Sequence, residues 1–150
     1  MSTGTEQRSL TRQSVGAMVV SWFAALDRKD PAEAVTGFFD LDRLYLKFPE
    51  GEFRGRNGFL RWYSAAMSTY FDTKHTLHAV DVDIAADGTA EVRLQVTWQA
   101  STWQPPAARS ERLGFDIQQS WRVVPDEDGR PQVRSYVVEG VQPMKGPTAR

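Results

Sequence analysis

The sequence predicts an α+β fold, with helices in the N-terminal half packed on one face of a long-stranded antiparallel sheet. Two observations carry this. Before about residue 71, two stretches repeat their apolar residues with the 3.6-residue period of a helix. Beyond it, the chain alternates with the two-residue period of half-buried strands. The second observation is the stretch Lys74–Trp98, KHTLHAVDVDIAADGTAEVRLQVTW. It reads as two long strands joined at Ala86-Asp87-Gly88, where Asp and Gly tolerate the positive φ of a tight turn. Val80, Val82 and Ile84 alternate with Asp81 and Asp83; Val92, Leu94, Val96 and Trp98 alternate with Arg93, Gln95 and Thr97.

The elements follow in order. Residues 1–13 are polar and without period, and are expected to form a disordered tail. Val15, Met18, Val19, Trp22, Phe23 and Leu26 make the buried stripe of a helix from about Ser14 to Arg28. Asp30-Pro31-Ala32-Glu33 reads as a capping box opening a short second helix that buries Val35, Phe38 and Phe39. Leu44, Leu46 and Phe48 alternate with Tyr45 and Lys47 in a short strand. Pro49-Glu50-Gly51 turns the chain, and Glu52–Arg54 runs back. Asn57 is placed to cap a third helix, Gly58–Phe71, whose stripe is Phe59, Tyr63, Ala66, Met67 and Tyr70.

The long hairpin comes next. After a proline-containing loop, strands over Arg112–Val124 and Val133–Gln142 complete a four-strand meander. Residues 144–150 read as a second tail, leaving one domain over residues 14–143. Twist in such a sheet curls it around the helices and leaves a pocket at the open end.

Composition narrows the function classes. The chain has 150 residues, 41% apolar and 25% charged, with a net charge of −1. That size suits one core. The charge balance argues against nucleic acid or an anionic membrane as principal partner. There is no cysteine, so thiol chemistry, disulfides and thiolate zinc sites are excluded. No secretory leader and no apolar run long enough to span a bilayer is visible, and a cytoplasmic location is the expectation.

The only two histidines, His75 and His78, open the first long strand and are candidates for proton transfer near neutral pH. Three residues apart on a regular strand, they point to opposite faces. Phase with Val80 and Val82 favours His78 inside. The two cannot both line one pocket unless a bulge intervenes between them. A structural histidine is the plainer reading of either. H-x-x-H on a strand also has the wrong geometry for a metal site. Asp27 could orient an imidazole, although a solvated helix end beside Arg28 and Lys29 is the plainer reading. Tyr45, Tyr63 and Tyr70 could donate to an oxyanion. Trp22, Trp62, Trp98 and Trp121 could wall a site for a flat ligand, or be core. Asp116 and Gln118 fall on the wet face.

The element order, with AALDRKD closing helix one, FPEGEFRGRNGF running from hairpin into helix three, and a histidine opening the long strand, resembles the nuclear transport factor 2-like superfamily, and within it the SnoaL-like group. The resemblance covers roughly Ser14 to Pro143. It implies a cystatin-like cone: three N-terminal helices on a strongly curved antiparallel sheet, around an internal pocket. On the ketosteroid isomerase pattern, the oxyanion-donating tyrosine falls at Trp22, the base at Phe48 and the second acid near Gln119. All three roles are vacant, while Trp62-Tyr63 matches as a pocket-lining pair. On the scytalone dehydratase pattern, Asp27 and His75 match, Tyr45 matches with a one-residue slip, and the second histidine is missing at Trp98-Gln99-Ala100. The aspartate of the SnoaL-like cyclases falls at Glu139 or Val137 depending on register. The Arg-x-Asp pair of the epoxide hydrolases meets Arg93-Leu94-Gln95 and lacks its acid.

The resemblance therefore implies a cofactor-independent acid–base enzyme, a cyclase, dehydratase or isomerase, acting on a hydrophobic cyclic molecule such as a polyketide- or steroid-like compound. His75, His78, Asp27 and Tyr45 are its candidate catalytic residues. Trp22, Trp62, Tyr63, Trp98, Gln119, Trp121 and Glu139 are its candidate binding residues. No metal and no cofactor are expected. The alternative is a non-catalytic binding or dimerisation domain of the same shape, and a homodimer through the outer sheet face is expected in either case.

Overall fold

The computed structural model describes residues 9–144. The outer parts of both expected tails, residues 1–8 and 145–150, lie outside the described residues. Helix α1 spans Arg12–Arg28 and starts two residues earlier than its apolar stripe suggests. Thr11 is the reason: its hydroxyl accepts from the Ser14 amide at 2.9 Å, and the Ser14 hydroxyl accepts from the Thr11 amide at 3.0 Å. Leu10, just before this cap, is already buried. Lys29 ends the helix in the left-handed conformation.

The short helix α2 covers Ala32–Val35 and runs into a 3-10 turn, Thr36–Phe38. The capping box expected from Asp30 and Glu33 does not form. Pro31 is the residue before the helix, and the Asp30 carboxylate is drawn to the Arg28 guanidinium at 2.7 Å. After a second 3-10 turn, Leu41–Arg43, the small hairpin β1 (Tyr45–Phe48) and β2 (Gly51–Arg54) leads directly into helix α3, Gly55–Thr69. This helix begins three residues before the predicted start, so Asn57 lies inside it and caps nothing. Gly58 packs where a Cβ would come within 3.1 Å of the Phe53 backbone, which holds the helix close against β2.

The four long strands are β3 (Phe71–Ile84), β4 (Ala90–Thr102), β5 (Glu111–Pro125) and β6 (Pro131–Pro143). They form the predicted meander. One six-stranded sheet results, in the order β2-β1-β6-β5-β4-β3, antiparallel except where β1 runs parallel to β6. The β3–β4 turn closes at Gly88, φ 87°, with the Thr89 amide and hydroxyl donating to Asp87.

Strict alternation fails at four places. β3 carries one extra residue between Phe71 and Lys74 and another at His78. β6 carries extra residues at Arg134 and Glu139. Each bulge bends its strand and moves the following side chains to the other face. The curved sheet holds α1 and α3 on its inner face. Between them lies an aromatic core of Trp22, Phe23, Phe39, Phe59, Tyr63, Trp121 and Tyr136. Among the described residues no helix is long and apolar enough to cross a membrane.

Phe59 is fully buried and joins α3 to the rest of this core, with ring centres 4.6 Å from Phe39 and 5.5 Å from Tyr63. Phe59→Ala is expected to cost about 3–5 kcal/mol, measured by urea unfolding. A loss well under about 1 kcal/mol would mean that α3 is not anchored here.

Candidate active site

The widest part of the curved sheet is not filled by the aromatic core. A cavity of about 520 Å³ remains between α3 and the inner sheet face, within the size range of small-molecule sites. Trp62, Ala66, Met67 and Tyr70 line it from α3 and its C-terminal end; Thr73, His75, Trp98, Phe115, Ile117, Gln119, Tyr136 and Val138 line it from the four long strands. Leu26 closes the α1 end, while the exposed residues Pro49, Glu50 and Val141 mark the open side. The walls are largely aromatic. Phe48 stacks on Trp62 at 4.6 Å with their planes 7° apart, and Trp98 meets Tyr70 edge-on at 4.8 Å.

His75 reaches this cavity because of the bulge at His78. Upstream of the extra residue, Leu77 and His75 share the inner face with Val80 and Val82 downstream of it. The two phases left open by the sequence are thereby joined, with His75 inside. Its imidazole rests on the Phe23 ring at 4.9 Å. Asp27, in the last turn of α1, grips His75 twice: Oδ2 accepts the backbone amide at 3.0 Å, and Oδ1 meets ring Nδ1 at 2.6 Å.

The backbone amide donates to Oδ2, and an ionised carboxylate accepts at Oδ1 as well. Nδ1 then carries its proton toward Asp27, and Nε2 is the free lone pair. Only a tenth of the His75 side chain is exposed, so water competes weakly for that geometry. A base held by a carboxylate in this way is equipped to take a proton from a bound molecule and return it.

A second polar group faces the cavity from β6 and was not singled out in the sequence. Tyr136 stacks on Trp121 at 4.6 Å, and its hydroxyl accepts from Trp22 Nε1 at 3.3 Å. Nearby, Gln119 Oε1 accepts from Trp121 Nε1 at 3.0 Å. Burial pushes the Tyr136 hydroxyl far above the usual phenol range, against the opposing pull of Trp22 and Gln119. Tyr70 is raised as well, by burial and then by the nearby charge of Glu50.

The remaining candidates are distributed as follows. Trp62, Trp98 and Gln119 line the cavity. Trp22, Tyr63 and Trp121 do not: they are buried behind it, and the Tyr63 hydroxyl donates to the Asp30 carbonyl. His78 is corrected to the outer face, where it lies 2.6 Å from Thr97 Oγ1, which donates to Asp116 at 2.6 Å. Tyr45 is corrected to the surface. Its hydroxyl donates to Glu52, and Arg54 lies 4.5 Å above its ring. Glu139 is the exposed extra residue of a bulge, and neither it nor Val137 lines the cavity.

Three helices packed on a curved six-stranded sheet are the architecture of the nuclear transport factor 2-like proteins. The chain belongs to the SnoaL-like domain family, whose sequence profile matches residues 7–137. Among solved structures it is similar to a candidate scytalone dehydratase from Novosphingobium aromaticivorans, with 16% identity over 91% of this chain and 89% of that one and a TM-score of 0.73. It is also similar to a hexachlorocyclohexane dehydrochlorinase (10% identity, 93% and 92% covered, TM-score 0.73). A third is a ketosteroid isomerase-like protein from Erwinia carotovora atroseptica (20%, 84% and 92%, TM-score 0.66). These likenesses establish the fold. No curated protein sequence matches the chain significantly.

The raised Tyr136 hydroxyl makes stability depend on alkaline pH. An unfolded tyrosine releases its proton near pH 10; the folded state holds it longer. Above about pH 10 the unfolded state therefore binds fewer protons, and stability falls as pH rises. The urea midpoint is expected to drop steadily from pH 9 to pH 11.5, and to drop less steeply in Tyr136→Phe. Equal slopes in the two proteins would show that Tyr136 ionises as freely folded as unfolded.

Proposed function

We propose that this domain is an acid–base enzyme of the dehydratase and isomerase type, and that His75 is its base, acting on a hydrophobic cyclic molecule held in the aromatic cavity. The observation that carries the reading is the double grip of Asp27 on His75, a residue that lines the cavity. The flat ring walls suit a fused-ring substrate. Proton abstraction and return need nothing beyond the chain's own atoms. Relatives named for dehydration, dehydrochlorination and ketosteroid isomerase likeness are in keeping with such chemistry. Asp27 acts through His75 and is a positioning residue.

A ketone with activated C–H bonds, 2-tetralone, is a direct probe. Deuterium uptake at its C1 position in D2O, followed by proton NMR, is expected to be faster with the protein than with buffer. His75→Ala should cut the excess rate by about 10²–10⁴-fold. Asp27→Asn should cut it by about 10²-fold or more, because an amide offers one acceptor oxygen to two donors and no longer fixes the tautomer. Exchange that is undiminished in a folded His75→Ala variant would sink the enzyme reading. Binding of the ketone without any exchange would favour a domain that binds without turnover.

Pairing of two copies through the outer sheet face belongs to the same proposal. His78, Gln95, Asp116, Gln118 and Gln142 border a polar hollow there. Sedimentation is expected to show a dimer that Asp116→Lys converts to monomer; a wild-type monomer throughout the micromolar range would remove this part.

A further inference from the structure

We propose that Tyr136 is the hydrogen-bond donor that holds the substrate's oxygen as negative charge develops on it, with Trp22 as its positioning residue. This rests on the cavity being the site of a small molecule deprotonated by His75. The argument is an accounting of one hydroxyl. A phenol oxygen has two lone pairs and one proton. Trp22 Nε1, which can only donate, takes one lone pair at 3.3 Å.

Trp22 therefore cannot accept the Tyr136 proton. Among the described residues no other group takes it, yet Tyr136 is only 3% exposed. A buried O–H without an acceptor is costly, and Tyr136 and Gln119 both border the cavity, as His75 does. The acceptor this hydroxyl lacks is a ligand oxygen.

The chemistry that follows is that of a carbonyl compound. His75 Nε2 takes the proton from the carbon next to the carbonyl. The C–H pair becomes the new C=C bond, and the carbonyl π pair moves onto oxygen. Tyr136 keeps its proton and donates it as a hydrogen bond to that oxygen, strengthened by the Trp22 N–H that polarises its own oxygen. The proton on His75 then returns to a carbon of the same molecule, so nothing else is consumed. The substrate class is narrowed to ketones and related carbonyls, rather than alcohols or halides without one.

The probes are 2-naphthol, which mimics the enolate of 2-tetralone in shape and oxygen placement, and naphthalene, which has the same rings and no oxygen. Titration followed by tryptophan fluorescence is expected to show 2-naphthol bound at least tenfold more tightly than naphthalene by wild type. Tyr136→Phe should lose that preference while still binding naphthalene, and its tetralone exchange should slow at saturating ketone with KM little changed. A Tyr136→Phe variant that keeps the full oxygen preference overturns the proposal and leaves His75 in place. If neither compound binds, the small-molecule reading falls and the proposal with it.

A second measurement does not depend on that variant folding. The chain has four tyrosines, so Cζ-labelled tyrosine gives a spectrum assignable with phenylalanine variants of the other three. The Tyr136 resonance is expected to move with 2-naphthol and not with naphthalene. A Tyr136 signal indifferent to the naphthol oxygen also overturns the proposal.

Discussion

The double hydrogen bond from Asp27 to His75 is the constraint that the rest of the site depends on. It joins the last turn of α1 to the first residues of β3 through one carboxylate, using a backbone amide and a ring nitrogen of the same residue. The backbone bond fixes the height of the helix on the strand. The ring bond fixes the tautomer. A carboxylate accepting two such donors is held more firmly than either bond alone would hold it. Lys29 adds a third tie nearby, with Nζ donating to the Tyr70 carbonyl at the end of α3. The three elements that meet at the top of the cavity are thus linked by polar contacts, and the aromatic core below them needs only to be filled.

Bulges decide which side chains can use that frame. Without the extra residue at His78, Val80 and Val82 could stay in the core only if His75 turned outward. With it, both conditions are met, and the spare histidine is sent to the outer face, where Thr97 and Asp116 receive it. The same device operates on β6. The extra residues Arg134 and Glu139 separate Val133, Tyr136, Val138 and Val141 by three, two and three positions, yet Val133 and Tyr136 are core while Val138 and Val141 line the cavity. Polar or charged side chains occupy the bulged positions, as befits residues moved out of a packed face.

This is why the fold was more legible in the sequence than the site. Helical period, strand alternation and the Asp87-Gly88 turn all report local preference, and local preference survives in α1, the meander and the β3–β4 turn. Caps were read less well. Asp30 had a nearer cationic partner in Arg28, and Asn57 was overtaken by a helix that starts directly off β2. Tyr136 was invisible because strict alternation on β6, followed from Val133 through Ser135 and Val137, places it on the wet face. A search for core aromatics three rather than two residues from Val133 would have found it. The pairing of Asp27 with His75 came from family resemblance, since 48 residues of sequence separate them.

The two polar groups of the cavity are held by different means. The His75 ring is held by a carboxylate at Nδ1, which fixes the ring's orientation against the cavity. Tyr136 keeps its proton because burial disfavours a phenolate more than the donating Trp22 indole favours one. The low polarity that makes an unpaired hydroxyl expensive in the empty cavity makes its hydrogen bond to a charged oxygen strong in the filled one.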